Sequence, residues 1–207
     1  MDAPMTDHDE HVQEIRSALQ DVDMRSRAAS AVRIPKRYSE AHVSHFKQVP
    51  REPIDGIFIT GAPGVGKTYL AAALLMHWMP VYAWDGQKID TSRCLWYSIP
   101  RFVVEMRDSN RNSDIETQLE QIRPISNRKL LVLDDLGAEK PSEYSAQALY
   151  LLISERLDEM RPTIVTSNLT LPEIEVFDPR LASRLFGMDH FVMEGRDRRG
   201  DKHTKEK

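Results

Sequence analysis

Residues Gly61 to Thr68 read Gly-Ala-Pro-Gly-Val-Gly-Lys-Thr. Every fixed position of the pattern G-x-x-x-x-G-K-[ST] is filled. Before it, Ile57-Phe-Ile-Thr60 is a short β-branched and aromatic run, the mark of a buried strand. After it, Tyr69-Leu-Ala-Ala-Ala-Leu-Leu-Met-His-Trp78 is rich in strong helix formers. Strand, glycine loop and helix in that order point to an α/β layer structure. Gly61, Gly64 and Gly66 let the backbone curl so that successive N–H groups converge on phosphate oxygens, and the positive end of the helix faces the same point. Ala62, Pro63 and Val65 complete the loop, and Tyr69 follows in the first helical turn. Lys67 is placed to reach β- and γ-phosphates and Thr68 to offer its hydroxyl to Mg²⁺. The competing reading is a glycine-rich turn before an ordinary helix, and a second motif weighs against it.

That second motif is Lys129-Leu-Leu-Val-Leu-Asp-Asp-Leu-Gly137. An apolar run ending in two aspartates is the pattern of a buried parallel strand whose carboxyl end opens on a site. Asp134 is then expected beside the phosphate loop as a Mg²⁺ ligand. Two carboxylates at the end of a buried strand need a partner, and a metal and a lysine supply one. A third apolar strand, Thr163-Ile-Val-Thr-Ser-Asn168, also ends in polar residues. Asn168 either orients an attacking water and the γ-phosphate or caps the turn.

The remaining segments complete an α/β alternation. Leu95-Trp-Tyr-Ser98 reads as a strand, with Ser98 as N-cap of a helix carrying Phe102, Val103 and Met106. Pro80 to Arg93 reads as irregular, with a short hairpin. Ile115, Leu119 and Ile122 mark a further amphipathic helix. Arg107 and Arg111, on the polar loop before it, either contact nucleic-acid phosphates or are solvated. Ser142 to Arg161 predicts a long helix with a core-facing stripe of Ala146, Leu149, Tyr150, Ile153, Leu157 and Met160, stopped by Pro162. Asp178-Pro179 starts a short helix that ends at Gly187 and carries Arg180 and Arg184 on one face. His190-Phe-Val-Met-Glu194 reads as the last strand.

At the front, Val12, Ile15, Leu19 and Val22 form a narrow apolar seam. It either docks a partner protein or packs on its own domain. Tyr38, in the proline-punctuated stretch that follows, either stacks on a nucleotide base or packs at the surface. The front of the chain over 1–33 is expected to be a helical partner-docking segment and residues 195–207 a charged, disordered tail, on either side of the α/β alternation.

Composition narrows the function classes. The net charge of −4 over 207 residues argues against a generally basic nucleic-acid binder. The charge is uneven: residues 1–30 hold seven acids and three arginines, whereas residues 196–207 hold six Lys/Arg and three acids. A single cysteine, Cys94, precludes an internal disulfide and reads as a packing residue. No apolar run is long enough for a membrane span, and the acidic N-terminus lacks a signal-peptide core, so a cytoplasmic location is expected.

The combination of Gly61–Thr68, Leu133-Asp-Asp-Leu-Gly-Ala-Glu139, Thr166-Ser-Asn168 and Arg180-Leu-Ala-Ser-Arg-Leu185 resembles the DnaC-type helicase loaders of the AAA+ ATPases and their relatives, the IstB-type transposition ATPases. Ile34-Pro-Lys-Arg-Tyr38 resembles the segment that precedes the ATPase domain there. The resemblance covers residues 34–194, which it implies to be an AAA+ ATPase domain. The resemblance implies a three-layer P-loop NTPase of the AAA+ ASCE type, with a five-stranded parallel sheet of order 5-1-4-3-2 and no full lid domain. It implies Lys67 and Thr68 as the Walker A pair, Asp134 as the Walker B metal ligand and Asp135 at the place of the catalytic glutamate, one methylene short. Asn168 would be sensor 1, and Arg184 an arginine finger acting on a neighbouring subunit, with Arg180 as second candidate. ATP and Mg²⁺ are the implied cofactors. A replicative DNA helicase, single-stranded DNA and further copies of the chain are the implied partners. The alternatives are an IstB-like helper of a transposase, a small-molecule kinase and a scaffold whose nucleotide site is structural.

Overall fold

The computed structural model describes residues 7–50, 56–108, 115–138 and 142–198. Five strands, β1 (Gly56–Gly61), β2 (Cys94–Ser98), β3 (Leu130–Leu136), β4 (Thr163–Ser167) and β5 (Asp189–Met193), form one sheet of order β2-β3-β4-β1-β5. Every pairing is parallel. The expected order 5-1-4-3-2 is the same sequence of strands read from the opposite edge.

Two apolar clusters, one on each face, follow from the two-residue period of the strands. Ile57, Ile59, Trp96, Leu130, Val132 and Ile164 face α3 (Lys67–Ala83). Their neighbours Phe58, Tyr97, Leu131, Leu133 and Val165 face α4 (Ile99–Asp108), α5 (Ile115–Ser126), α6 (Glu143–Asp158), α7 (Leu171–Phe177) and α8 (Pro179–Phe186). Successive side chains point to opposite sides, so strands that are apolar throughout must be covered on both. The polar positions accumulate at the carboxyl ends of β1, β3 and β4. These ends lie side by side because β1 pairs with β4 and β4 with β3.

Two local expectations need correction. Helix α3 does not stop at Pro80 but runs through it to Ala83. Trp78, Met79, Pro80 and Ala83 are all buried, and that packing outweighs the hydrogen bond lost at the proline. The hairpin expected beyond it is reduced to one antiparallel bridge, Trp84 to Ile89. In α6 the buried stripe is rotated from the predicted one. Ala148, Leu149, Leu152, Ile153 and Arg156 face inward, whereas Met160 lies past the helix end in the left-handed region and is 60% exposed. Arg156 causes the rotation, because its buried guanidinium donates to Thr163 Oγ1 and to the carbonyls of Ser126, Arg128 and Pro162 at 2.6–2.8 Å.

At the front of the chain the apolar seam packs on its own domain, one of the two alternatives its pattern allowed. Two helices, α1 (Asp7–Ala18) and α2 (Val22–Ala31), precede the sheet. Val12 and Leu19 are buried and α1 packs on α3. The seam therefore turns toward its own domain, and Val22, 69% exposed, does not belong to it. Asp21 breaks the seam by capping α2, its side chain accepting from the Met24 N–H at 2.8 Å. Tyr38 takes the packed alternative, with its ring between Tyr69 and Trp96. Cys94 is buried, and burial pushes its thiol up to about 12, as expected of an inert packing residue. Arg111 and Glu139 lie outside the described residues.

Candidate functional site

The loop from β1 to α3 is shaped by glycine where no side chain fits. Gly64 has φ +80, and a Cβ there would fall 1.9 Å from Asp197 Oδ1. Gly66 is left-handed at φ 109 and caps α3 with no side-chain hydrogen bond. The N–H groups of the first turn of α3 have no acceptor within the helix, so they and the helix dipole are available to an anion. That is the fit expected for a phosphate chain seated over Gly61–Thr68.

Lys67 is 7% exposed although charged. Its Nζ donates to Gly61 O at 2.7 Å, Ala62 O at 2.8 Å and Asn168 Oδ1 at 2.7 Å. The amide of Asn168 passes the contact on, because its Nδ2 donates to Asp135 Oδ1 at 3.1 Å. Side chains from the start of α3, the turn after β4 and the end of β3 thus form one chain from the phosphate loop to the second aspartate.

Asp134 is 9% exposed, and burial pushes its carboxyl up to about 6. Hydrogen bonds from Thr166 and Thr68 oppose that rise, and the neighbouring Asp135 adds to it. Asp135 itself is left-handed at φ 71, unusual for a non-glycine residue. The β3–β4 ladder shifts register between Leu133 and Leu136, around these two aspartates. A buried carboxylate beside a threonine hydroxyl is a hard-oxygen pair suited to Mg²⁺. Among the described residues there is no cluster of three or more His, Cys, Asp or Glu. A cation here would therefore complete its shell with phosphate and water.

Arg180 and Arg184 share one face of α8, but their contacts run to α6 and to the helix's own cap. Arg184 Nη1 lies 3.1 Å from Asp158 Oδ1, Arg180 Nε lies 3.4 Å from Asp178 Oδ1, and the Arg180 guanidinium sits 5.1 Å from the Tyr150 ring centre. Arg184 is more than a third exposed. Tyr69 joins an aromatic group with Tyr38, His45 and Phe46, and its hydroxyl is 2.9 Å from His45 Nδ1.

Two features escaped the sequence reading. Thr166 donates to Asp134 Oδ1 and accepts from the Asp135 N–H. Thr166 stands in the Thr166-Ser-Asn168 run, but nothing in that run assigns its hydroxyl to the aspartate pair. Residues 195–198, expected to be tail, lie against the phosphate loop, with Arg198 N–H donating to Gly64 O at 3.0 Å. No residue of that stretch carries a hydrophobic pattern that would announce the contact.

Comparison with known proteins agrees with this geometry. The model of the IstB-like ATP binding protein family matches residues 43–192. The replicative helicase loader DnaC of Escherichia coli K12 is 28% identical over 122 residues, 58% of this chain and 45% of that protein. The putative ATP-binding protein of insertion sequence IS21 from Pseudomonas aeruginosa is 30% identical over 117 residues, 56% of this chain and 39% of that protein. The chain thus spans less than half the length of these relatives. The crystal structure of DnaI superposes with a TM-score of 0.57 at 22% identity, covering 79% of this chain and 96% of that one. The fold is that of the AAA+ P-loop domains, and the chain belongs to the IstB-like ATP-binding protein family.

Proposed function

We propose that the protein is an ATP-hydrolysing switch that binds single-stranded DNA and delivers a replicative helicase to it. The observation that carries the hydrolytic part is the linkage of Lys67, Asn168 and Asp135 through one amide. A nucleotide-binding loop alone needs no such connection to a second carboxylate. Lys67 would leave the loop carbonyls for the phosphates, releasing Asn168 Oδ1, while Asn168 Nδ2 still holds Asp135 in place. Asp135 would then orient a water, its shorter side chain favouring slow turnover. Asp134 and Thr68 would hold Mg²⁺, which when bound neutralises charge on the β- and γ-phosphates. Arg184, part-exposed and held by the Asp158 carboxylate and the Tyr150 hydroxyl, would exchange these partners for the nucleotide of a neighbouring copy. Activity would then depend on assembly.

Similarity to the DnaC and DnaI loaders supports the helicase assignment. Similarity to the IS21 protein and the family match support a second reading, an ATPase helper that directs a transposase to target DNA. Affinity capture of the tagged full chain with ATP, followed by identification of bound proteins and measurement of turnover on single- and double-stranded DNA, separates them. A hexameric helicase and single-strand stimulation support the loader. A transposase and double-strand stimulation support the helper.

A further inference from the structure

Thr166 is 1% exposed, near the carboxyl end of β4 and at the centre of the sheet. Its hydroxyl makes two hydrogen bonds of opposite sense, donating to Asp134 Oδ1 at 2.7 Å and accepting from the Asp135 backbone N–H at 2.9 Å. The roles are fixed by chemistry. A backbone N–H can only donate, so the oxygen of Thr166 accepts there and its single proton goes to the carboxylate. One atom therefore touches both members of the aspartate pair.

The second bond fills a gap in the sheet. The β3–β4 ladder shifts between Leu133 and Leu136, and Asp135 turns into the left-handed region there. Thr166 supplies the acceptor for the Asp135 N–H where the two strands fall out of step. Unusual backbone of this kind persists where its surroundings over-determine it. The turn also leaves the Asp135 carboxylate 3.1 Å from Asn168 Nδ2. On the other side, Thr166 and Thr68 each bond to Asp134. A carboxylate has about four lone-pair positions, so two hydroxyls fix its rotamer and still leave room for a cation.

We propose that Thr166 is the positioning residue of this site. It locks Asp134 for a divalent cation and, through the Asp135 peptide, aims Asp135 at Asn168. The inference rests on reading the aspartates as a metal ligand and a water-orienting base, but its test does not depend on hydrolysis alone.

The test compares Thr166→Val, which keeps the shape and removes the hydroxyl, with Thr166→Ser, which restores it. Three quantities are read on the full chain. They are the Mg²⁺ concentration for half-maximal binding of a fluorescent ATP analogue, hydrogen exchange of the Asp135 amide without nucleotide, and ATP turnover. For Thr166→Val, the Mg²⁺ midpoint should rise, and turnover fall, by about 10–100-fold, the range typical when an outer-shell partner of a metal site is removed. Asp135 exchange should accelerate with it, and Thr166→Ser should return all three toward wild type. A Thr166→Val protein that melts lower but keeps the wild-type Mg²⁺ midpoint and Asp135 exchange overturns the proposal, since a merely structural role moves only the melt. If the wild type binds Mg²⁺-nucleotide without turning it over, the hydrolytic reading fails, and the midpoint and exchange still decide the role of Thr166. Should Thr166→Val not fold, Thr166→Ala and Thr166→Ser are compared on the same readouts.

Discussion

The ammonium of Lys67 donates to Asn168 Oδ1 at 2.7 Å across 101 positions of sequence. Parallel pairing of β1 with β4 brings these residues together, because each follows the carboxyl end of its strand. The ammonium is thus held by three protein oxygens, those of Gly61, Ala62 and Asn168.

Removing that cation should weaken binding without unfolding the protein. Lys67→Ala is expected to weaken ATP binding about 100-fold, the worth of two to three kcal/mol of charge-assisted hydrogen bonding. The midpoint of thermal unfolding should fall modestly, because three acceptors lose their donor, while the protein stays folded. Equilibrium titration with a fluorescent ATP analogue, paired with circular dichroism, measures both.

Asp134 gives a pH dependence with a definite sign. Its carboxyl is raised from 3.8 to about 6 by burial, so the folded protein holds a proton the unfolded chain has lost between those values. Stability without divalent cation should fall as pH rises from about 4 to about 6 and stay lowered above that. Asp134→Asn removes the penalty, so it should stabilise the cation-free protein at pH 7.5 by up to about 3 kcal/mol and give no gain near pH 4. Protons and Mg²⁺ compete for the same oxygens, so Mg²⁺-dependent nucleotide binding should weaken below about pH 6. Thermal melts and nucleotide titrations across that pH range check both statements.

Arg156 is wholly buried with no carboxylate hydrogen-bonded to it among the described residues, and burial lowers its guanidinium to about 9, still charged at neutral pH. It joins the end of α5 and the α6–β4 turn by donating to three backbone carbonyls and Thr163. Arg156→Leu would orphan those acceptors and should cost about 3–5 kcal/mol in chemical denaturation, with nucleotide affinity of the remaining folded protein unchanged.

Arg184→Ala separates assembly from binding. The Arg184–Asp158 pair is solvent-exposed, so its loss should change stability by less than about 1 kcal/mol. ATP affinity should be retained. Stimulation of turnover by DNA and by protein concentration should disappear if this guanidinium completes a neighbour's site. Unchanged stimulation would assign that part to Arg180 or to neither.

The legible parts of the chain were those whose chemistry is local. Gly61–Thr68 and Leu130–Asp135 carry their meaning within a single strand and its following turn, and sheet order followed from the family they resemble. The phase of α6 was not legible, because Arg156 reads as a solvated residue unless the three carbonyls it serves are known to converge on it. The role of Thr166 was equally hidden. It depends on a register shift between two strands, which no periodicity records. The apolar seam of α1 was visible, but its direction was set by what it packs against, α3.

Under the proposed function, ATP is hydrolysed by a site that one copy of the chain cannot complete. The most direct measurement is the specific rate of ATP hydrolysis with Mg²⁺ and single-stranded DNA over a wide range of protein concentration, for the wild type and for Asp135→Asn. The rate per molecule should climb as the protein becomes more concentrated and should vanish in Asp135→Asn. A constant specific rate at every dilution, or one that Asp135→Asn leaves untouched, would contradict it.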